Sequence, residues 1–183
     1  MTTLTTANQL TLLRVLLIPA FVILVVYGHL GWALIVLIAA GSTDALDGVI
    51  ARRSGQKTNL GAWLDPMADK LLLVTTFVVL TLPGLGLRNR LPVWLTVLII
   101  SRDVLIVLTV AIVNLAVGPR TFRPSIYGKT ATAMYVVTCL VTLYFNYLDE
   151  SSWVIALCVY GSLAITLVSG IDYTIRVARL ASE

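Results

Sequence analysis

The sequence predicts an all-α integral membrane protein, with six transmembrane helices around a polar cavity that faces the cytoplasm. Three observations lead there. The chain of 183 residues is 58% hydrophobic and only 12% charged, with a mean hydropathy of +0.95, whereas a soluble domain carries about 25% charged residues. Six apolar stretches, each near the roughly 20 residues that a bilayer-spanning helix needs, are separated by turn-forming residues. Finally, Asp44, Asp47, Asp65 and Asp69 interrupt the apolar pattern at helical spacing.

The first segment runs from about Leu10 to Tyr27, behind a polar, Thr-rich stretch expected to lie along the surface as a short helix. No basic region precedes its apolar run, so it does not read as a secretory signal. Gly28 closes it. The second segment, about Trp32 to Arg53, and the third, about Asn59 to Leu82, are each apolar at one end and polar at the other. Trp32 to Ala40 suits lipid; Asp44 to Lys57 does not. Polar side chains at membrane depth are tolerated where they line a water-filled cavity, which places the cavity floor near the middle of the membrane. Gly55, Pro83, Gly84, Gly86 and Pro124 mark turns. The fourth segment runs from about Pro92 to Val117, the fifth from Ser125 to Tyr147, and the sixth from Ser152 to Leu180. No internal repeat or low-complexity tract divides the chain, so residues 1–183 are expected to form one membrane domain.

Basic residues set the orientation. With both termini in the cytoplasm, the inner loops and tails hold Arg52, Arg53, Lys57, Arg120, Arg123, Lys129, Arg176 and Arg179, and the outer loops only Arg88 and Arg90. The aspartates then face the cytoplasm, from a protein of the cell (inner) membrane. The net charge of +4 comes from scattered residues with no run able to track a phosphate backbone. An anionic leaflet and anionic lipids are the natural partners, not nucleic acid. Cys139 and Cys158 lie in apolar stretches and read as reduced core residues.

One carboxylate at the bilayer centre costs roughly 2.5–3.5 kcal/mol on insertion scales, so four need a compensating partner. A hard divalent cation is the natural one. Asp44 and Asp47 are three apart and Asp65 and Asp69 four apart, so each pair shares a helix face. Two such faces turned toward each other can hold two ions about 3.5–4 Å apart, the arrangement that clamps a phosphate during in-line displacement. All-oxygen ligands favour Mg²⁺ or Mn²⁺, and the chain lacks the His and Cys clusters zinc prefers.

Written out, the constellation is Asp44-x-x-Asp47-Gly48-x-x-Ala51-Arg52, eight residues, then Gly61-x-x-x-Asp65-x-x-x-Asp69. This resembles the signature of the CDP-alcohol phosphotransferase family, with all eight fixed positions present in order and at full spacing. The length, the six spans and the place of the motif fit as well. The resemblance implies that the first three aspartates bind metal at the pyrophosphate of a CDP-linked donor such as CDP-diacylglycerol. It implies that Asp69 both ligates metal and acts as general base on an acceptor hydroxyl, and that Gly48, Ala51, Arg52 and Gly61 line the cytidine and phosphate pocket. Chemistry agrees: glycine lets a nucleotide approach the backbone closely, and arginine can pair with phosphate. A homodimer is implied by the resemblance alone.

Basic residues elsewhere are candidates for the acceptor. Arg14 and Arg102 lie deep in apolar segments, and Lys129 follows a Pro-Ser-Ile-Tyr-Gly run. A buried cation must be paired, hydrated or functional. One reading of Arg102 is an internal ion pair, with Asp172 or the aspartate cluster. The other is a basic pocket for a phosphate on the acceptor alcohol, built from Arg102 and Lys129 with Arg120 and Arg123 as loop-borne helpers. The segments NQLTLLRVLLIPAF, GAWLDPMADKLLL and RPSIYGKTATA resemble the family's phosphatidylglycerophosphate synthase branch, whose acceptor is sn-glycerol 3-phosphate. IISRDV and RPSIYGKTATAMYVV also resemble its cardiolipin synthase branch, whose acceptor is phosphatidylglycerol. Inositol phosphate or serine is a less favoured acceptor. An ion transporter with the same carboxylates is a rival reading, but it gives no reason for Ala51, Arg52 and Gly61 at fixed distance from the aspartates.

Overall fold

The computed structural model describes the backbone of residues 6–54, 59–117 and 125–181, and the side chains of 12–42, 67–109, 111–112, 115 and 125–176. Its elements are six helices: α1 Thr6–Val26, α2 Leu30–Ser54, α3 Asn59–Thr81, α4 Val93–Val117, α5 Ile126–Tyr147 and α6 Trp153–Ala181. Each end falls within a few residues of the expected one. The exception is the start of α1, where Thr6 to Gln9 continue the helix instead of forming a separate surface element. Two helices stop in a shared way. Gly28 (φ +74°) and Asp149 (φ +52°) take left-handed backbone after α1 and α5. There the His29 N–H donates to the Leu24 carbonyl and the Glu150 N–H to the Phe145 carbonyl, the closure that satisfies a helix's last carbonyls.

Contacts divide the chain into two units: Met1–Arg90 with Thr142–Ser151, and Leu91–Val141 with Ser152–Glu183. In the first, α1 packs against both α2 and α3. Its core comes from helically spaced residues: Phe21 and Val25 on α1, Ala33, Leu37 and Ala40 on α2, and Leu72, Phe77 and Leu80 on α3. Arg14 lies seven residues before Phe21, so it extends the buried stripe of α1 as its one charged member. Buried Asn146 ties the far end of the unit together. Its amide donates to the carbonyls of Asn89 (2.8 Å) and Thr142 (2.9 Å), and its oxygen accepts from the Asn89 N–H (2.8 Å).

In the second unit α4 packs on α6, and hydrogen bonds join α5 to α6. The Thr138 and Ser162 hydroxyls lie 2.8 Å apart and those of Tyr135 and Thr166 2.6 Å apart, all buried. Such bonds hold helices together where there is no water to drive association. Gly161 makes room for Met134, whose Cε would lie 2.7 Å from a Cβ added at the glycine.

Among the described residues, Ile126–Tyr147 and Trp153–Arg176 are long and apolar enough to cross a membrane. Leu12–Val26 and Leu30–Ser42 are apolar but shorter. Large apolar side chains stand exposed on both kinds of helix, among them Leu16, Ile23, Trp32, Leu157 and Ile171. A surface so apolar calls for an apolar surrounding.

Candidate active site

The eight motif positions occupy two continuous helices. Asp44, Asp47, Gly48, Ala51 and Arg52 lie on the C-terminal half of α2, and Gly61, Asp65 and Asp69 on the N-terminal half of α3. The helical spacing read from the sequence is therefore the spacing of the backbone. The side chains of the first seven lie outside the described residues; that of Asp69 lies within them. Arg120 and Arg123 also fall outside.

Asp69 does not face solvent alone. Arg14 Nη1 donates to its Oδ1 at 2.5 Å, across 55 positions of sequence. The two partners differ sharply in surroundings: the Arg14 side chain is 1% exposed and that of Asp69 38%. Ala68 and Leu72 turn into the core on either side of Asp69, while Met67 and Leu71 point outward. The carboxylate thus sits at a rim, held by a cation that is itself almost fully buried. A buried ion pair broken by removal of one partner loses about 3–5 kcal/mol; with one partner this exposed, solvent screening brings the figure down.

The four motif carboxylates suit a hard divalent cation by the chemistry of their donors, oxygen throughout. Among the described residues no three His, Cys, Asp or Glu side chains gather into a metal-holding group, Asp69 being the one motif aspartate in that set.

In the second unit Arg102 is engaged on two sides. Its Nη1 donates to Asp103 at 2.6 Å and its Nη2 to the Ser169 hydroxyl. Asp172 takes its bond from Arg176, at 2.9 Å, and another from Ser125, so the expected pairing of Arg102 with Asp172 is replaced by one with its own neighbour. An i,i+4 pair closes within one helix turn, which is why Arg176 reaches Asp172 first. A Cβ on Gly128 would lie 3.5 Å from Arg102 Nη2, so the start of α5 rests against this guanidinium. Ser125 caps that helix, accepting from the Gly128 N–H at 3.3 Å. Lys129 stands exposed in its first turn, where the free N–H groups of the helix also favour an anion.

Two partnerships escaped sequence reasoning. Arg14 announced itself as a cation in an apolar run, but nothing in the spacing selects one carboxylate of four. Ser169 carried no signal at all. A groove lined by Gly28, His29, Trp32, Ile35 and Tyr147 opens at the turn between α1 and α2, at the other end of both helices from the motif, and none of the motif residues lines it.

Comparison with known proteins agrees with the motif. The family model for CDP-alcohol phosphatidyltransferase matches residues 4–170. A Mycobacterium tuberculosis protein named "Probable phosphatidylglycerophosphate synthase" is 33% identical, over 94% of this chain and 81% of its own. The cardiolipin synthase (CMP-forming) of Streptomyces coelicolor is also 33% identical, over 97% of this chain and 84% of its own. The human cardiolipin synthase (CMP-forming) is 35% identical over 80% of this chain and 53% of its own. With its motif intact on two helices and residues 4–170 matched, this chain belongs to the CDP-alcohol phosphatidyltransferase family, membrane-integral enzymes of phospholipid biosynthesis that work with divalent metal ions.

Proposed function

We propose that this enzyme transfers a phosphatidyl group from CDP-diacylglycerol to sn-glycerol 3-phosphate and releases CMP. The observation that carries the reading is the complete eight-position motif on α2 and α3, helices that both pack on α1. The Mycobacterium tuberculosis relative, alike over most of both chains, supports this acceptor. The Streptomyces coelicolor relative, equally identical, supports phosphatidylglycerol as the second reading.

Asp44, Asp47, Asp65 and Asp69 would hold two Mg²⁺ or Mn²⁺ ions. When bound, these ions neutralise charge on the donor pyrophosphate. Gly48, Ala51, Arg52 and Gly61 receive the cytidine and phosphates. Asp69 takes the proton of the acceptor hydroxyl as its oxygen bonds to the β-phosphorus; the phosphoanhydride bond to CMP breaks and CMP leaves with the electron pair. Lys129 and Arg102, with Arg120 and Arg123, attract the phosphate of the acceptor. Lys129, exposed in the first turn of α5, is the best supported of the four; Arg102, already bonded to Asp103 and Ser169, fits a role in shaping that turn.

All six helices cross the cell membrane in this reading, residues 1–183 acting as one domain with a polar cavity open to the cytoplasm. Lipid tails enter between helices while head groups react in water. The protein works as a homodimer, a feature supported by family resemblance.

The test is CMP release by purified protein in detergent with CDP-diacylglycerol and Mg²⁺, run with glycerol 3-phosphate, phosphatidylglycerol or inositol 1-phosphate. Release with glycerol 3-phosphate alone upholds the first reading. Release with phosphatidylglycerol alone replaces it with the second. Chelation by EDTA abolishes release and added Mg²⁺ or Mn²⁺ restores it; turnover that survives chelation removes the metals.

A further inference from the structure

Among the described residues Arg14 is the one fully buried charged side chain, and the proposed reaction leaves it unused. It is 1% exposed, stands in the buried stripe of α1, and donates to Asp69 Oδ1 at 2.5 Å. We infer that Arg14 is a positioning residue: it reaches from α1 to α3 and fixes the carboxylate of Asp69 in the orientation from which it receives the acceptor's proton. The inference rests on the role proposed above for Asp69.

Three features carry it. A buried cation is an expensive way to join two apolar helices, because a well-packed hydrophobic pair of similar volume holds them as well or better. Arg14 donates to the last motif position, away from the side of α3 that carries Lys70 and Met67 and faces outward. And Asp69 keeps 38% of its side chain open. A carboxylate needed only to neutralise Arg14 has no reason to stand at a rim. One needed for chemistry there must be anchored, since a misplacement of about 1 Å costs roughly 100-fold in rate.

The experiment compares wild type, Arg14→Lys, Arg14→Met, Asp69→Asn and the double variant Arg14→Met/Asp69→Asn, each as full-length protein in detergent. Turnover is followed by CMP release. Mn²⁺ affinity is followed by electron paramagnetic resonance with CDP-diacylglycerol present. Arg14→Met is expected to lower kcat about 100-fold with donor KM changed less than about twofold, and to weaken Mn²⁺ about tenfold, as loss of a ligand's outer partner does. Arg14→Lys, which keeps charge but not reach, recovers part of kcat. In the Asp69→Asn background, Arg14→Met changes Mn²⁺ affinity no further. Where Arg14→Met alone does not fold, Arg14→Lys carries the same comparison, and removal of both partners restores folding.

A purely structural Arg14 predicts the reverse: lower thermal stability with unchanged Mn²⁺ affinity and unchanged kcat per folded molecule, and that result overturns the inference. So does a weakening of Mn²⁺ by Arg14→Met that multiplies with that of Asp69→Asn. If Asp69→Asn itself turns over at near wild-type rate, the role of Asp69 fails and this inference with it. If Asp69→Asn is inactive and Arg14→Met is not impaired, this inference fails alone.

Discussion

Asp69 and Arg14 are 55 positions apart in sequence and joined by a hydrogen bond of 2.5 Å between heavy atoms. Sequence reasoning reached each of them by a different route. Asp69 came from spacing, because carboxylates at i and i+4 share a helix face whatever the fold. Arg14 came from cost, because a cation in an apolar helix must find a partner. The choice of partner belongs to tertiary packing, which decides that α1 lies against α3. Arg102 teaches the same lesson: its nearest carboxylate was next to it in sequence, while Ser169 had no distinguishing mark. At this scale two outcomes are expected. Asp69→Asn abolishes transfer, by at least the roughly 100-fold that a positioned base contributes, while CDP-diacylglycerol still binds. Near wild-type turnover by the variant would remove Asp69 as the base. Lys129→Ala raises the KM for a phosphorylated acceptor several-fold more than the KM for the donor, since one charge-assisted bond is lost on one substrate only. Equal changes in both would take Lys129 out of the acceptor pocket.

The helices themselves were legible to within about two residues, the start of α1 excepted, because apolar run length and turn chemistry set their ends together. Gly28, Gly84 and Gly86 adopt the left-handed backbone that their residue type permits at least cost. Asp149 does so too without being glycine, and its turn had no comparable signal. What links one element to the next was less visible. The Thr138–Ser162 and Tyr135–Thr166 bonds between α5 and α6 look, in sequence, like scattered small polar residues. Tyr135→Phe is expected to weaken this junction by about 0.6 kcal/mol, the mean for membrane hydrogen bonds, a small fall in Tm. Asn146 is a harsher case. Asn146→Ala removes three hydrogen bonds at once, to the half-buried Asn89 N–H and carbonyl and to the Thr142 carbonyl, each of which contributes about 0.5–1.5 kcal/mol. Its Tm should therefore fall by several times the Tyr135→Phe shift; comparable values for the two would mean that water replaces the Asn146 bonds.

At the scale of the whole molecule the question is which way the chain runs through the bilayer. Charge gives an answer: loops and tails at the motif's end of the helices hold eight basic residues, and those at the other end hold only Arg88 and Arg90. The described helices include two of spanning length, α5 and α6, and six crossings require α1, α2, α3 and α4 to pass as well. Cysteine labelling in intact cells separates the cases. Cys139 and Cys158 are both buried and free, so replacing them with alanine gives a background in which Lys57→Cys, Arg88→Cys and Glu150→Cys are read one at a time. Lys57 lies between α2 and α3, Arg88 between α3 and α4, and Glu150 between α5 and α6. One crossing separates the first from the second, and three separate it from the third. A membrane-impermeant maleimide should label Arg88→Cys and Glu150→Cys in whole cells, and Lys57→Cys only after the membrane is opened. Labelling of Lys57→Cys from outside, with the other two protected, would invert the topology and put the aspartates on the outer face. Equal access at Lys57 and Arg88 would mean that α3 does not cross, and the polar cavity would have to be a surface cleft. Either result leaves the motif chemistry of α2 and α3 in place, because helical spacing, unlike topology, does not depend on where the membrane lies.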